Sequence, residues 1–430
     1  MKKTTLLFIF FCSFSSIFAQ NTYFPPLFGN AWETTTPKSL GWCEDKIDSL
    51  YLFLEQKNTK AFLVLKDGRI VLEKYFGTFK QDSVWYWASA GKSLTGFMVG
   101  LAQQDGKLNI NDKTSKYLGT AWTSETAAQE DKITILNQLT MTTGLDDGVA
   151  NKGCTTPACL LYKADPNTRW AYHNAPYTLL DKVIEKATGQ TLNSYISTRL
   201  KTQTGITGNF FPVADDNVFV STPRSMARFG LLVLNKGKWN NTTIMSDQTY
   251  YKAMTNTSQI LNKSYGYLWW LNGKASYMIP TLQTVFPGKL TPNAPDDMFS
   301  AMGKNGQLIH IVPSQNLVVI RMGNADGSPV PITFANDIWK NLNKVICKKT
   351  ANEDLALSNN WAVFPNPTND FLYFPDEKNY DITLFDASGK VVFVEKNISN
   401  SLNISSLVNA CYFGVAKNEG EVKKFKFVKF

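Results

Sequence analysis

The stretch Trp87-Ala88-Ser89-Ala90-Gly91-Lys92-Ser93 contains a Ser-x-x-Lys element and leads into an apolar run from Leu94 to Leu101. It predicts the start of a buried helix, in which Ser89 and Lys92 lie one turn apart and share a face. A serine hydroxyl becomes a strong nucleophile when a neighbour takes its proton, and a lysine can do so once burial lowers its pKa. The stretch therefore predicts a nucleophilic serine that a lysine activates.

A solvated helix start is the alternative interpretation, because serine and lysine are common residues and the pattern is short. Against it, Trp85, Tyr86 and Trp87 precede the serine, and glycines and large apolar residues follow it. A surface helix does not carry such residues around its circumference. The choice depends on whether partners for Ser89 occur elsewhere in the chain.

The segment Trp170-Ala171-Tyr172-His173-Asn174 precedes a predicted helix and offers two candidate partners. Tyr172 would be a second proton carrier, and Asn174 would be an amide that positions Lys92 and a substrate carbonyl. The alternative is an ordinary helix entry, with Asn174 as the N-cap and Pro176 at an early helical position.

A third segment, Met302-Gly303-Lys304-Asn305-Gly306-Gln307, lies at the junction of two predicted strands. Lys304 would present a cation to a substrate carboxylate, and Gly306 would let the backbone approach closely. The amide of Gln307, together with that of Ser89, would form an oxyanion hole. The alternative is a glycine-rich hairpin turn, but three such segments in this order are rarer by chance than any one of them.

Together, Ser-x-x-Lys at 89–92, Tyr-x-Asn at 172–174 and Lys-x-Gly at 304–306 resemble the motifs of the serine β-lactamase and penicillin-recognising superfamily. The Tyr-x-Asn form is similar to the branch of class C β-lactamases, D-alanyl-D-alanine carboxypeptidases, esterases and 6-aminohexanoate-dimer hydrolases. Class A enzymes carry Ser-Asp-Asn at the second motif instead. The resemblance covers about residues 31 to 346.

The hydrophobic periodicity predicts one sheet shared by both ends of this domain, with an all-helical subdomain inserted. The resemblance implies the same α/β (α+β) fold, an antiparallel sheet flanked by helices. The predicted sheet elements are a hairpin at 61–75 and strands at 265–271, 298–302, 308–312 and 317–322. The predicted helices are 44–56, 89–106, 133–141, 177–187, 223–234 and 334–345.

The resemblance also implies roles for individual residues. Ser89 would be the acylated nucleophile, Lys92 and Tyr172 the proton carriers, Asn174 a substrate ligand and Lys304 a cationic electrophile.

Two features bear on the substrate. Asn305, next to Gly306, stands where lactamases commonly have threonine, which favours ester or linear amide hydrolysis over lactam hydrolysis. Trp269 and Trp270 would line an acyl pocket, or alternatively pack in the core.

The cysteines indicate disulfides if the chain is exported. Cys154 and Cys159 would close a short loop, unless they are two unrelated thiols. The family fold makes the first and last helices neighbours, so the resemblance implies a second disulfide between Cys43 and Cys347 and leaves Cys411 unpaired. No metal and no cofactor is predicted, because the chain has only two histidines, His173 and His310, and no second cysteine pair with zinc-site spacing.

Residues 1–19 are typical of a secretory signal peptide, with two lysines, an apolar core and a small residue before the cleavage point. Residues 20–347 would form the serine hydrolase domain, 348–360 a linker and 361–430 a small C-terminal β-sandwich. No later stretch is long and apolar enough to predict a transmembrane segment.

The tail resembles the type A sorting domain of the type IX secretion system. The resemblance lies in three stretches: Val363-Phe364-Pro365-Asn366-Pro367-Thr368, Leu384-Phe385-Asp386-Ala387-Ser388-Gly389-Lys390 and Lys423-Lys424-Phe425-Lys426. This resemblance implies the secretion machinery as a partner. It also implies a location that is secreted or at the outer-membrane surface of a Gram-negative, Bacteroidota-type cell. The alternative, a carbohydrate-binding sandwich, lacks an evident aromatic ledge.

The chain of 430 residues carries 44 basic and 35 acidic residues, a net charge of +9. No basic cluster interleaved with aromatic residues occurs, which argues against nucleic-acid binding and favours a basic cleft wall that attracts carboxylates. The sequence therefore predicts a monomeric, exported serine hydrolase that cleaves an ester or amide of a small molecule or peptide. The alternative is a surface receptor that keeps the cleft without the chemistry.

Overall fold

The computed structural model describes residues 22–325, 330–347, 362–419 and 421–430. It divides into two compact units, one ending at Cys347 and the other beginning at Lys348. The predicted signal peptide at 1–19 and linker at 348–360 lie outside the described residues.

A six-stranded sheet forms the centre of the first unit, and every neighbouring pair of its strands is antiparallel. From one edge to the other it holds Arg69–Tyr75, Thr59–Lys66, Leu317–Gly323, Gln307–Val312, Phe299–Gly303 and Trp270–Leu271. The N-terminal hairpin thus pairs with the last strand, and both ends of the domain share one sheet. This confirms the predicted fold class. The strands are β1 (Thr59–Lys66), β2 (Arg69–Tyr75), β3 (Trp270–Leu271), β4 (Phe299–Gly303), β5 (Gln307–Val312) and β6 (Leu317–Gly323).

Helices cover both faces of this sheet. They include α1 (Ile47–Gln56), α2 (Gly91–Gln104), α3 (Ile135–Thr140), α4 (Asn174–Thr188), α5 (Pro223–Leu234) and α6 (Ile332–Ile346). Neighbouring residues of a strand point to opposite faces. On β5, Ile309 packs against α5 at Gly230, whereas His310 accepts a hydrogen bond from Trp339 of α6. Helices α5 and α6 therefore lie on opposite faces.

The hairpin turn between β1 and β2 follows the sequence closely. Asp67 and Gly68 both have positive φ, 52° and 80°, as the favoured two-residue hairpin turn requires. A side chain at position 68 would also collide with the backbone carbonyl of Tyr23.

The inserted region is not entirely helical, which corrects the sequence prediction. Strands Asn209–Val213 and Asp216–Ser221 pair with each other, and Trp85–Tyr86 adds a third strand. Shorter elements of the unit are the helices Ser115–Leu118, Ala127–Glu130, Leu192–Ile196, Thr202–Thr204 and Gln248–Met254, and the strand pairs Lys238–Trp239 with Thr242–Thr243 and Ser276–Tyr277 with Phe286–Pro287.

The predicted strand at 265–271 is shorter than expected, because only Trp270–Leu271 joins the sheet. The segment before it turns back on itself: Leu268 has a positive φ of 62°, and the Gly266 amide donates to the Trp269 carbonyl. A continuous apolar run does not distinguish a buried turn from a buried strand.

The second unit is built from two antiparallel sheets that bury a common core, the predicted small β-sandwich. Residues of both sheets, Leu372 and Leu402 from one and Ile382 and Leu384 from the other, pack in one cluster. The four-stranded sheet holds, in order, Val391–Ile398, Tyr380–Phe385, Cys411–Asn418 and Glu421–Val428, and the two-stranded sheet pairs Phe371–Tyr373 with Ser401–Asn403.

Both expected disulfides are present, Cys43 to Cys347 and Cys154 to Cys159, each with Cα atoms 5.8 Å apart, and Cys411 has a free thiol. The first joins the start of α1 to the end of α6, where the Cys43 amide also donates to the Val345 carbonyl. None of the helices in the described ranges is long and apolar enough to cross a membrane.

Candidate active site

Ser89 lies in a short turn, Ala88–Ala90, directly before α2. The preceding Ala88 has a positive φ of 47°, so the chain bends sharply just before the serine. Trp87 fixes this bend, since its ring nitrogen donates to Ser221 and its amide to the Phe219 carbonyl. The bend presents a partly exposed serine at the start of a buried helix.

The amine of Lys92 donates to the Ser89 hydroxyl at 3.3 Å, as the one-turn spacing predicts. The lysine is only 4% exposed. Burial lowers its pKa to about 8, although Asp216 and Asp181 favour the charged form and oppose this shift. The amine also lies 4.0 Å from the ring centroid of Tyr177. It is therefore suited to exchange a proton with Ser89 near neutral pH.

Tyr172 also meets the nucleophile. Burial raises the pKa of its phenol well above the usual range, and the nearby Ser89 hydroxyl partly opposes that rise. Its ring centroid is 5.4 Å from the Lys92 amine, and it stacks on Trp270 at 5.5 Å. The structure thus brings Ser89, Lys92 and Tyr172 together.

Asn174 is the first residue of α4, and the N-cap position belongs to His173, whose side chain makes no capping hydrogen bond. The structure therefore excludes the alternative interpretation, in which Asn174 is the N-cap of an ordinary helix. Within the described part of the chain, the Asn174 amide makes no side-chain hydrogen bond, so it is available to a ligand. His173 is 2% exposed, and burial lowers its pKa to about 4.

The third segment contacts the nucleophile through Gly303, a residue that the sequence reasoning missed. A Cβ at position 303 would lie 3.1 Å from the Ser89 amide nitrogen and would collide with the Trp87 carbonyl. Only a glycine lets the end of β4 approach the backbone of Ser89 so closely. The sequence does show this glycine directly before Lys304, but its role at the site follows only from the tertiary packing.

The rest of this segment has other partners. The Lys304 side chain is exposed, and the Asn305 amide donates to the Tyr86 hydroxyl at 2.6 Å. Gly306 packs against Arg321 and Phe334. The contacts found for Gly306 are therefore with β6 and α6, and Ser89 is not among them.

Gln307 is fully buried, and its amide group donates to the Gly323 carbonyl at 2.6 Å and to the Lys304 carbonyl at 3.3 Å. Its backbone pairs with Gly303 across the hairpin. Its side chain therefore ties together the ends of β4, β5 and β6.

The two tryptophans have different surroundings. Trp270 stacks on Tyr172, which places it at the edge of the site. Trp269 is fully buried and stacks on Phe229 at 6.1 Å, with Phe299 edge-on at 5.2 Å. Trp270 is also buried, at 2% exposure, so the core interpretation suits both tryptophans, and Trp270 in addition supports the Tyr172 ring.

Two carboxylates near Lys92 were not anticipated from the sequence. Asp181 is 6% exposed and accepts a hydrogen bond from Asn217 at 2.9 Å, and burial raises its pKa to about 7. Asp216 adjoins Asn217 and acts on the charge of Lys92. This side of the site is acidic, whereas the charge balance suggested a basic wall.

No motif spacing relates these carboxylates to the nucleophile, because they belong to α4 and to a separate strand. Among the residues that the structure describes, no group of three or more His, Cys, Asp or Glu side chains is arranged to hold a metal ion.

A family model described as beta-lactamase matches residues 55–341, about two thirds of the chain. The chain belongs to the beta-lactamase family. A second model, the secretion system C-terminal sorting domain, matches residues 362–429 of this beta-lactamase-family protein. That domain indicates a secreted or outer-membrane surface protein of a Bacteroidota-type cell.

Relatives of this beta-lactamase-family protein are distant. An uncharacterized protein of Alkalihalophilus pseudofirmus is 25% identical over 321 residues, which cover 65% of this chain and 88% of the relative. A Salmonella paratyphi A protein, provisionally named D-alanyl-D-alanine carboxypeptidase, is 22% identical. The alignment covers 67% of this chain and 82% of the relative.

Solved structures share the fold. A Bacillus anthracis protein, provisionally named 6-aminohexanoate-dimer hydrolase, superposes with a TM-score of 0.57 at 18% identity, covering 75% of this chain and 91% of that one.

Proposed function

We propose that this hydrolase-family protein is an exported serine hydrolase that cleaves a linear amide or an ester through an acyl-enzyme on Ser89. The observation that carries the proposal is the convergence of the Lys92 amine and the Tyr172 phenol on the Ser89 hydroxyl. Nucleophile activation needs a base within hydrogen-bond reach, and Lys92 meets that condition.

Acylation begins with proton transfer from Ser89 to Lys92. With a pKa of about 8, about one tenth of the lysine amines are neutral at pH 7 and able to accept it. As the O–H bond of the serine breaks, its oxygen bonds to the substrate carbonyl carbon, and the carbonyl electron pair moves to oxygen. The carbonyl then re-forms and the bond from its carbon to the leaving group breaks, while the proton passes through Lys92 or Tyr172 to the leaving group. Water later hydrolyses the acyl-enzyme.

The oxyanion formed in these steps needs two aligned N–H donors. One is the amide of Ser89. For the other we assign the backbone at Gly303-Lys304 instead of the Gln307 amide, because Gly303 is the residue that approaches the Ser89 amide. Asn174, with no side-chain bond among the described residues, would donate to the substrate carbonyl.

The choice of a linear amide or ester rests on two points. Asn305, in place of the lactamase threonine, is held by Tyr86 and is not free to bind a substrate carboxylate. The names of the Salmonella and Bacillus relatives refer to a D-alanyl-D-alanine carboxypeptidase and a 6-aminohexanoate-dimer hydrolase. Lys304, exposed at the end of β4, remains available to a substrate carboxylate.

The test is covalent labelling followed by a substrate comparison. A fluorophosphonate probe should modify Ser89 of the folded protein, and S89A should remain unlabelled with an unchanged fold. Wild type that has not been exposed to the probe would then be assayed side by side on a short-chain ester, a linear oligoamide, a D-Ala-D-Ala peptide and a cephalosporin. Failure to label Ser89 would favour the non-catalytic receptor, and fastest turnover of the cephalosporin would contradict the substrate class.

A further inference from the structure

Two helices bring a buried carboxylate close to Lys92. On α4, Tyr177 and Asp181 lie one turn apart and share a face, and the Lys92 amine rests 4.0 Å from the Tyr177 ring. On α2, Thr95 follows Lys92 by almost one turn, and its hydroxyl is 3.4 Å from that of Tyr177. Tyr177 therefore contacts the amine of Lys92, and Asp181 follows it by one turn on the same face of α4.

The strand Asp216–Ser221 provides a second carboxylate, that of Asp216. Asn217 donates to Asp181 at 2.9 Å and so joins this strand to α4. In the neighbouring Asp216, Oδ1 is buried and has no hydrogen-bond partner in the part of the chain that the structure describes. Neither carboxylate forms an ion pair with a described lysine or arginine.

Lys92 is thus the cation that both carboxylates act on. The titratable groups around it are Asp181, Asp216, Tyr172 and Tyr177, and both tyrosines stay neutral because burial raises the pKa of each phenol. Glu185 faces Asp181 from the next turn of α4 and raises the pKa of that carboxyl further. The negative charge near Lys92 therefore comes from the two aspartates, and Asp181, with a pKa of about 7, contributes mainly above that pH.

We propose that Asp181 and Asp216 are positioning residues for Lys92, whose carboxylates stabilise the ammonium that forms when this lysine takes the Ser89 proton. The inference rests on the proposed function and concerns the same site. Burial alone would make the amine a weaker base. The two carboxylates offset part of that loss, so the lysine keeps enough proton affinity to deprotonate a serine.

The chain offers a matched control. Asp215 precedes Asp216 in the same hairpin, but its carboxylate accepts a hydrogen bond from Asn151 at 2.7 Å and is not among the groups that shift the pKa of Lys92. An aspartate-to-asparagine change keeps the size and one acceptor oxygen of each side chain. D181N, D216N and D215N thus compare loss of charge beside Lys92 with loss of charge one residue away.

The experiment measures the rate of Ser89 labelling by a fluorophosphonate between pH 5 and 10 in the full chain. In D181N and D216N the acid limb of the profile should move to lower pH by about one unit, and the plateau rate should fall because the base is weaker. D215N should keep the wild-type profile. Circular dichroism verifies the fold of each variant. If only one of D181N and D216N folds, that variant alone tests the inference.

An unshifted acid limb in a folded D181N or D216N would overturn the inference, as would an equal shift in D215N. A structural role alone would lower the labelling rate at every pH without moving the limb. If wild type were not labelled at Ser89, the proposed function itself would fail. Labelled wild type with unshifted variants would reject only the role of the aspartates.

Discussion

Gly303 lies against Ser89 so closely that a methyl group at position 303 would be 3.1 Å from the serine amide nitrogen. We expect G303A to displace the Ser89 turn and to slow fluorophosphonate labelling by at least about 100-fold, the usual effect of losing an oxyanion donor. Overpacking should also lower the free energy of unfolding by about 1–3 kcal/mol. Labelling at the wild-type rate would show that the reactivity of Ser89 does not depend on the close contact with Gly303.

The pKa of Lys92, lowered by burial to about 8, predicts the pH dependence of acylation. Because the neutral amine is the base, the labelling rate should rise about tenfold per pH unit below that pKa and level off above it. K92M should remove this limb and lower the plateau by about 100- to 10,000-fold. A wild-type profile that is flat between about pH 6 and 9 would exclude Lys92 as the base.

Y172F separates proton transfer from packing at Tyr172. The phenylalanine keeps the stacking on Trp270, so the free energy of unfolding should change by less than about 1.5 kcal/mol. Removal of the phenol should slow turnover of the best substrate by about 100-fold or more. Urea unfolding and steady-state kinetics measure the two effects, and unchanged turnover would assign Tyr172 to packing alone.

The two disulfides should contribute unequally to stability. Cys43–Cys347 closes a loop of 304 residues, and Cys154–Cys159 spans only 5. In the chain-entropy description, removing the first should cost about 6 kcal/mol and removing the second about 2 kcal/mol. Urea unfolding of C43S/C347S and C154S/C159S tests this, and an equal loss in both would contradict it.

The buried histidines predict a loss of stability in mild acid. Burial lowers the folded-state pKa of His173 to about 4 and that of His310 to about 3, below the unfolded value of about 6.5. The stability that each neutral ring contributes is therefore complete above about pH 6.5 and lost as the pH falls toward the folded pKa. Between pH 7 and 5, the free energy of unfolding should drop by roughly 2 kcal/mol per histidine. H173Q should halve that drop, and an equal drop in this variant would rule out His173 as a source.

The sequence was informative wherever local pattern decides structure. The Asp67-Gly68 turn, the helix at Pro223–Leu234 and the facing pair Ser89 and Lys92 follow from turn chemistry, periodicity and helical spacing. Family resemblance added the partnership of Cys43 with Cys347.

The features that were missed depend on tertiary packing. Gly303 matters because β4 approaches the Ser89 turn, and Asp181 and Asp216 act on Lys92 from two separate elements. Nothing in the spacing of these residues relates them to the serine. The inserted strands at 209–221 are a different case, since a turn between two short apolar runs was visible in the sequence.

The bond between Cys43 and Cys347 has a bearing on maturation. Cys347 is the last residue of the first unit, and the sorting unit begins at the next position. A protease that cut the chain after this point would release the export signal but leave the new C-terminus covalently fastened to the first helix. Trimming would thus produce a terminus that cannot fray, and the enzyme set free outside the cell would keep its final helix in place.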